Sequence, residues 1–203
     1  MKDDNIRQDS LKAWVLASRP KTLTSAAVPV MIGTALAFKD SAEYVEGAFN
    51  WIPALLSLLF AFIMQIDANF INDYYDYLKG SDREDRLGPD RACAQGWITL
   101  KAMKKGLLWT TLLSCFWGLL LLRYCGLEMI PIGMLCVLFA FLYTAGPYPL
   151  AYHGWGDVLV IVFFGFVPVG CTYYTMAHDW TWDVTIGCAA CGLVSDLLLM
   201  LNN

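Results

Sequence analysis

Polar side chains recur at helical spacing in the middle of the chain. The positions Gln65, Asn69, Asn72 and Asp76 are separated by four, three and four residues. This spacing places them on one face of a helix, and Asp73 joins the same broad face. Magnesium prefers oxygen ligands and is usually held by one or two carboxylates together with substrate phosphates. The pattern therefore predicts a candidate magnesium (Mg2+) site on this face.

Basic and helix-breaking residues follow this polar face. The basic residues are Lys79, Arg83, Arg86 and Arg91. Their ammonium and guanidinium groups can bind phosphate oxygens, and the glycines and proline among them would let the chain fold over an anion. Carboxylates beside such bases suggest a diphosphate substrate. The alternative is an ordinary polar helix end with a solvated loop, where local ion pairs contribute little.

The composition places this segment in a membrane protein. Of the 203 residues, 58% are hydrophobic and 16% are charged. A typical soluble domain is about 45–50% apolar and about 25% charged. Intrinsic disorder is excluded, because apolar side chains far outnumber charged ones. The seven cysteines are odd in number and lie mostly inside apolar runs, which argues against a disulfide-rich secreted module.

Six long stretches have few or no charged residues. A membrane-spanning helix needs about 20 mostly apolar residues. We therefore predict spans at about 22–38, 52–71, 106–122, 127–143, 158–176 and 184–201. The alternative, a set of buried helices in a large soluble core, is disfavoured by six such runs in a chain of this length. The predicted fold class is an all-α multi-pass membrane protein.

Basic residues are distributed unevenly between the two sides of the membrane. Five lie in 1–21 and seven follow the second span, whereas the opposite side has only Lys39 and Arg123. The positive-inside rule therefore places both termini in the cytoplasm, in a protein of the cell (inner) membrane. We expect a cytoplasmic segment at 1–21, a membrane domain at 22–203, and a cytoplasmic loop with the aspartate motif at about 72–105.

Some other residues have ordinary structural explanations. Asp67 and Asp196 are lone acids within predicted spans and are expected to make polar contacts inside the bundle. Cys188 and Cys191 lie in an apolar helix and are expected to be small interface residues. The tyrosines near the polar face, among them Tyr143, could stabilise a cation with their rings, or they could be ordinary interfacial aromatics.

Four stretches, taken in order, resemble a known superfamily. They are Arg19-Pro20-Lys21-Thr22-Leu23, then Asn69-x-x-Asn72-Asp73-x-x-Asp76 running to Asp82, then Arg86-Leu87-Gly88-Pro89-Asp90-Arg91, and Tyr143-Thr144-Ala145-Gly146-Pro147-Tyr148-Pro149-Leu150 running to Gly154-x-Gly156-Asp157. Together they resemble the intramembrane aromatic prenyltransferases of the UbiA-type superfamily. Within it they are most similar to the branch that prenylates 1,4-dihydroxy-2-naphthoate for menaquinone biosynthesis. The resemblance covers about residues 12–203.

The resemblance implies a nine-helix bundle around a central cavity, and transfer of a long prenyl group from its diphosphate to the aromatic acid. The acceptor loses CO2 and the product is demethylmenaquinone. Mg2+ is the implied cofactor, the bilayer is the implied surrounding, and no nucleic acid is expected as a partner. The implied metal ligands are Asp73, Asp76 and Asp82, with Asn69 and Asn72 assisting. The implied diphosphate-binding residues are Lys79, Arg83, Arg91 and Arg19, and the implied aromatic or cation contacts are Tyr143 and Tyr148.

One departure from the family concerns the end of the sequence. The second aspartate-rich motif of the family typically begins with Asn-Asn after the sixth span, and this sequence stops at Asn202-Asn203. We therefore expect a fragment, or a truncated and inactive product. Three alternative hypotheses about function stay open. They are a prenyltransferase with a different acceptor (4-hydroxybenzoate, homogentisate or haem), a CDP-alcohol phosphotransferase, and a membrane transporter or assembly factor. The phosphotransferase reading is weakened because its D-G-x-x-A-R-type motif is not found here.

Overall fold

A computed structural model of the protein describes residues 6–44, 49–80 and 90–202. The regular elements in these ranges are all helical. In chain order, the α-helices are α1 (Leu11–Ala17), α2 (Leu23–Tyr44), α3 (Trp51–Lys79), α4 (Leu100–Cys125), α5 (Ile130–Thr144), α6 (Gly156–Ile161), α7 (Cys171–Ala177) and α8 (Trp182–Asn202). Short 3-10 turns occupy Pro20–Thr22, Leu127–Met129 and Leu150–His153, and a π-helical segment, Val162–Gly170, joins α6 to α7.

Six of the helical stretches are long and apolar enough to cross a membrane. They run over Pro20–Ser41, Trp51–Lys79, Leu100–Cys125, Leu127–Thr144, Gly156–Ala177 and Trp182–Leu201. The six predicted spans and the all-α multi-pass fold class are thereby confirmed. Large apolar side chains are exposed along the outer faces, for example Trp109 and Leu119 on α4. Such faces suit contact with lipid rather than with water.

Helix α3 carries the polar face and is longer than predicted. Its 29 residues extend about 44 Å at a rise of about 1.5 Å per residue, whereas the hydrocarbon core of a bilayer is about 30 Å thick. The helix ends at Lys79 because Gly80 adopts a left-handed conformation (φ 66°), as helix-capping glycines do. Within the segment predicted as a cytoplasmic loop at about 72–105, residues 72–79 belong to α3 and residues 100–105 to α4. The cytoplasmic placement of this segment stays a prediction.

The fifth span is irregular at its centre. The π-helical segment Val162–Gly170 contains Pro168, which has no backbone N–H to donate. Interruptions of this kind are commonly found where a proline removes a bond from the helical ladder. The side chains of Phe163, Phe164 and Val167 in this segment line the central cavity described below. The irregular segment therefore shapes the cavity wall.

Small residues let the π-helical segment approach its neighbours closely. A Cβ atom added at Gly165 would lie 2.4 Å from the carbonyl oxygen of Cys188 on α8. A Cβ atom added at Gly33 on α2 would lie 2.4 Å from the carbonyl oxygen of Val169. Cys188 and Cys191 are buried in the same core cluster, which confirms the prediction that they are interface residues. The packing follows the small-residue pattern of membrane helices.

Asp67 makes a polar contact inside the bundle, as predicted. Its side chain is fully buried, and its carboxylate accepts hydrogen bonds from the hydroxyls of Thr110 (2.5 Å) and Thr111 (3.0 Å) on α4. The carboxylate thus ties α3 to α4 on the side of α3 away from the polar face. Asp67 serves below as a control position on the same helix.

The close packing at Gly165 generates a stability prediction. We expect Gly165→Ala to lower the free energy of unfolding by about 2 kcal/mol or more, because overpacking a tight contact typically costs about 1–3 kcal/mol. The matched control is Gly133→Ala on α5, where nothing lies within 4 Å of an added Cβ. This control should be neutral or slightly stabilising. Unfolding of both variants in detergent measures the difference, and equal stabilities would contradict the described packing.

Candidate active site at the polar end of helix α3

The C-terminal half of α3 presents its polar side chains to three other parts of the chain. Asn69, Asp73 and Asp76 are buried, and each forms hydrogen bonds with residues distant in sequence. The predicted shared helical face is therefore present. What the spacing did not predict is that protein groups already occupy much of its hydrogen-bonding capacity.

Asp73 binds the backbone of the segment that follows Arg91. Its two carboxylate oxygens accept hydrogen bonds from the backbone N–H groups of Ala92 (2.7 Å) and Cys93 (2.9 Å). The side chain of Asp73 is fully buried. Bonds of this type, between an ionised acceptor and backbone N–H groups, are stronger than neutral ones. Asp73 therefore fixes the position of the segment that carries Arg91.

Asp76 receives a cationic and a phenolic partner. The guanidinium of Arg91 donates to Oδ2 of Asp76 in an ion pair whose side chains are both almost completely buried. The hydroxyl of Tyr152 donates to Oδ1 at 2.5 Å. Breaking a buried pair by removing one partner is strongly destabilising, because the other charge stays buried. Replacing either Arg91 or Asp76 by a neutral residue is therefore expected to destabilise this end of the bundle.

Asn72 and Lys79 connect α3 to the end of α5. The hydroxyl of Thr144 donates to Oδ1 of Asn72, and the ammonium of Lys79 donates to the backbone carbonyl of Thr144 at 2.5 Å. The same ammonium lies 5.7 Å from the centre of the Tyr152 ring. Lys79 is exposed at the outer edge of this cluster. A cationic group is thus held beside the polar end of α3.

Gln65 and Asn69 contact the turn that precedes α2. The amide of Asn69 donates to the carbonyl of Ser18 and to the hydroxyl of Thr22, both at 3.0 Å. The amide of Gln65 donates to the same hydroxyl at 3.3 Å. Arg19 lies between the two acceptor residues and is half-buried. The N-terminal turn is therefore attached to the same helix face as Asp73 and Asp76.

A large apolar cavity begins at this polar end. Its volume is about 420 Å³, which falls within the range of typical ligand pockets, roughly 300–1,000 Å³. Its polar lining residues at this end are Thr22, Gln65, Asn69, Asn72 and Tyr143. The remaining lining is mostly apolar and comes from helices α2 to α8 and the π-helical segment.

The cavity is long as well as apolar. Tyr143 and Met129, at opposite ends of the α5 region, both line it. These residues are 14 positions apart in the sequence, which corresponds to about 20 Å along a helix. Cys125 and Thr175 also lie at the far end. The cavity therefore extends through much of the bundle, away from the carboxylates.

The predicted site residues do not all reach this cavity. Tyr143 lines it, whereas Tyr148 is 57% exposed and stacks against His153, with ring centres 3.4 Å apart. The structure thus brings Tyr143 to the site and does not bring Tyr148 there. Asp82 and Arg83 lie outside the described residues, so their predicted roles as metal ligand and diphosphate contact stay predictions.

The oxygen donors of α3 fit a divalent cation that is shared with substrate phosphates. Among residues 6–44, 49–80 and 90–202, no three His, Cys, Asp or Glu side chains converge on one point. The candidate donors are the buried carboxylate of Asp76, which accepts from Arg91 and Tyr152, and the amide oxygen of Asn72, which accepts from Thr144. Each of these oxygens has a further lone pair with which it could bind a metal ion. Magnesium often takes only one or two carboxylates from the protein. This donor set therefore suits a cation that also binds substrate phosphates.

Several functional residues escaped the sequence analysis. Thr22 and Thr144 form hydrogen bonds with the polar side chains of α3. Their position in apolar stretches of the sequence did not indicate this role. Both do lie within stretches that carry the family resemblance. The backbone N–H groups of Ala92 and Cys93 could not be identified from side-chain spacing at all, because every residue type except proline supplies one.

Comparison with known proteins identifies the family. Residues 26–203 match the UbiA prenyltransferase family. The chain belongs to this family. Members of the family generally depend on a divalent metal ion, and the six spans make this member a multi-pass membrane protein. The membership favours a prenyltransferase over the phosphotransferase and transporter alternatives.

Three similar curated proteins share one name, 1,4-dihydroxy-2-naphthoate octaprenyltransferase. The Escherichia coli protein is 38% identical over 95% of this chain and 62% of its own length. The Haemophilus influenzae protein is 34% identical, with 100% of this chain and 67% of the relative covered. The Mycobacterium tuberculosis protein is 35% identical over 96% of this chain and 64% of its own length. The chain thus spans about two thirds of these relatives' lengths. No solved structure matches the chain.

The contacts of Asp73 generate a prediction about local protection. We expect Asp73→Asn to speed hydrogen exchange of the Ala92 and Cys93 amides by about 10-fold or more, because a hydrogen bond to a charged group is worth about 1.5–3 kcal/mol. An asparagine can offer only one carbonyl oxygen to the two N–H donors. Exchange measured by mass spectrometry on peptides covering 90–98 tests this expectation.

The matched control for this measurement is Asp67→Asn on the same helix. It removes a carboxylate that faces α4 instead of the segment at 90–93, so exchange in that segment should not change. Equal exchange rates in the wild type and the Asp73→Asn variant would contradict the described role of Asp73.

Proposed function

We propose that this protein transfers a long-chain prenyl group from prenyl diphosphate to 1,4-dihydroxy-2-naphthoate, with loss of CO2, to give demethylmenaquinone. The observation that carries the proposal is a long apolar cavity whose one end is lined by the polar face of α3. The names of the relatives in three bacteria support the choice of acceptor.

The cavity and the cationic groups suit the two parts of the prenyl donor. The apolar walls would remove the prenyl chain from polar surroundings, at roughly 0.8 kcal/mol per buried CH2 group. Lys79 and Arg91 lie beside the polar end, where the diphosphate would be bound. Arg19 and Arg83 are further proposed contacts with the diphosphate. A planar guanidinium suits phosphate oxygens because it donates two parallel hydrogen bonds.

We propose Mg2+ as the divalent metal, held by Asp76 with Asn72 and supported by Asp73 and Asp82. The chemistry that Mg2+ supplies when bound is neutralisation of the charge that develops on the diphosphate leaving group. Asp76 contributes a carboxylate that is already oriented by Arg91 and Tyr152. Arg91, which pairs with Asp76, would bind the released diphosphate.

The cavity would also protect the reactive intermediate. When the C–O bond to diphosphate breaks, positive charge develops on the allylic carbon of the prenyl group. The ring of Tyr143 lines the cavity near the polar end and would stabilise this charge through its negative face. The apolar walls would exclude water, which otherwise captures the cation. An electron-rich ring carbon of the acceptor then forms the new C–C bond, and the acceptor carboxylate leaves as CO2.

The proposed arrangement in the membrane follows the basic residues. We propose that the protein lies in the cell (inner) membrane with its N-terminal segment, 1–21, and the polar end of α3 on the cytoplasmic side. The membrane domain would begin at about residue 22. The basic residues concentrate on this side, as the positive-inside rule requires. Water-soluble acceptor and diphosphate head group would then approach from the cytoplasm.

The proposal predicts metal-dependent product formation. Membranes containing the complete gene product should form a prenylated naphthoquinol from prenyl diphosphate and 1,4-dihydroxy-2-naphthoate, and EDTA should abolish it. Asp76→Asn should reduce the rate at least about 100-fold, because it removes a carboxylate at the site of charge development. Product is measured by mass spectrometry of extracted lipid. Asp67→Asn, which faces α4, should retain activity within a few-fold.

Three results would contradict parts of this proposal. Prenylation of 4-hydroxybenzoate or homogentisate but not of the naphthoate would keep the family chemistry and overturn the acceptor. An unchanged rate in Asp76→Asn would overturn the site. Flux of substrate across the membrane without metal or product would instead favour a transporter.

A further inference from the structure

The backbone at Arg19 adopts an unusual conformation. Its φ of 51° and ψ of 70° lie in the left-handed region, which residues other than glycine seldom adopt. The next residue is Pro20, and a following proline favours extended backbone at the preceding position. Conformations of this kind persist where the surroundings over-determine them, and they cluster at functional sites. Contacts from the surrounding protein must therefore hold the backbone of this turn in place.

Side chains from α3 hold the turn on both sides of Arg19. The Nδ2 group of Asn69 donates to the carbonyl of Ser18 and to Oγ1 of Thr22, each at 3.0 Å. Gln65 Nε2 donates to the same Oγ1 at 3.3 Å. The Thr22 hydroxyl in turn donates to the carbonyl of Arg19 at 2.9 Å. A hydroxyl has one donor and two acceptor positions. The Thr22 hydroxyl uses all three, because it accepts from Asn69 and Gln65 and donates to Arg19.

Asn69 donates hydrogen bonds through its side-chain amide, whereas Asn72 accepts one. A backbone carbonyl can only accept, so Asn69 must present its N–H groups to Ser18. Asn72 instead accepts through Oδ1 from the hydroxyl of Thr144. In these contacts the two asparagines, three residues apart on one helix face, therefore use opposite ends of the side-chain amide, nitrogen in Asn69 and oxygen in Asn72.

The Arg19 guanidinium is partly buried at this turn. Its Nε and Nη2 atoms are shielded from solvent, although arginine side chains are mostly exposed. Thr22, Gln65 and Asn69, which form the hydrogen bonds around the turn, all line the polar end of the cavity. The turn and the proposed diphosphate position thus share one end of the molecule.

We propose that Asn69, together with Gln65, is a positioning residue that fixes the Arg19 turn so that the Arg19 guanidinium binds the diphosphate of the substrate. This inference rests on the proposed prenyl-diphosphate chemistry. It replaces the metal-assisting role expected for Asn69 with an indirect role that acts through Arg19.

The first test replaces Arg19 with glycine in the complete gene product. Glycine adopts positive φ freely, so Arg19→Gly should leave the unfolding temperature unchanged or raise it. The KM for prenyl diphosphate, and the Kd for a non-hydrolysable prenyl thiodiphosphate, should rise at least about 10-fold, since a lost contact of about 1.4 kcal/mol is tenfold. Unchanged KM and Kd values would overturn the proposal.

The second test compares the isosteric variants Asn69→Asp and Asn72→Asp. Asn69→Asp removes both N–H donors and places a carboxylate against the Ser18 carbonyl, so KM and the thiodiphosphate Kd should rise while the metal concentration for half-maximal activity stays the same. Asn72→Asp should change that metal concentration. A shift in metal dependence in Asn69→Asp, with KM unchanged, would show a metal ligand and overturn the proposal.

A double variant tests whether Asn69 acts through Arg19. Residues that act as one unit are not additive. In the Arg19→Gly background, Asn69→Asp should therefore raise the thiodiphosphate Kd no further, whereas a full additive increase would overturn the positioning role. The binding measurement does not depend on the acceptor. If thiodiphosphate binds but no naphthoate product forms, the proposed acceptor fails while this inference is still tested.

Discussion

Polar groups placed inside a membrane bundle must find partners within the protein, because lipid offers none. Helix α3 meets this constraint with three incoming segments. The N-terminal turn accepts from Asn69, the segment after Arg91 donates to Asp73, and the end of α5 donates to Asn72. These bonds bring together parts of the chain that are far apart in sequence. Arg19 and Arg91 lie on two of these segments and are therefore brought close to α3.

The same bonds organise the polar end of the bundle. They hold Arg91 against the carboxylate of Asp76 and Lys79 against the end of α5. On the same helix, Asn69 and Asn72 line one end of a cavity whose remaining walls are mostly apolar. A lipid diphosphate has this division of polarity, with a charged head and a long apolar tail. The π-helical segment and the small residues that pack around it form one wall of the cavity. Fold and site are therefore parts of one arrangement.

The six spans and the helical face on α3 were predictable because each depends on local composition or spacing. The hydrogen-bond partners of the polar side chains on α3 were not predictable in this way. The hydroxyl of Tyr152 reaches Asp76 across 76 positions, and Asp73 binds backbone groups that carry no residue identity. Tyr143 and Tyr148 looked equivalent in sequence, yet α5 ends at Thr144, so only Tyr143 is held on a helix beside the cavity. Tertiary contacts therefore decided which candidates reach the site.

The central claim is that the prenyl chain lies in the cavity with its diphosphate at the polar end of α3. A prenyl diphosphate analogue with a photoreactive group at the far end of its chain tests this claim directly. After irradiation, mass spectrometry should find the label on lining residues of the far end, such as Cys125, Met129 or Thr175. Labelling confined to the lipid-facing side of α4, around Trp109 and Leu119, would contradict the account.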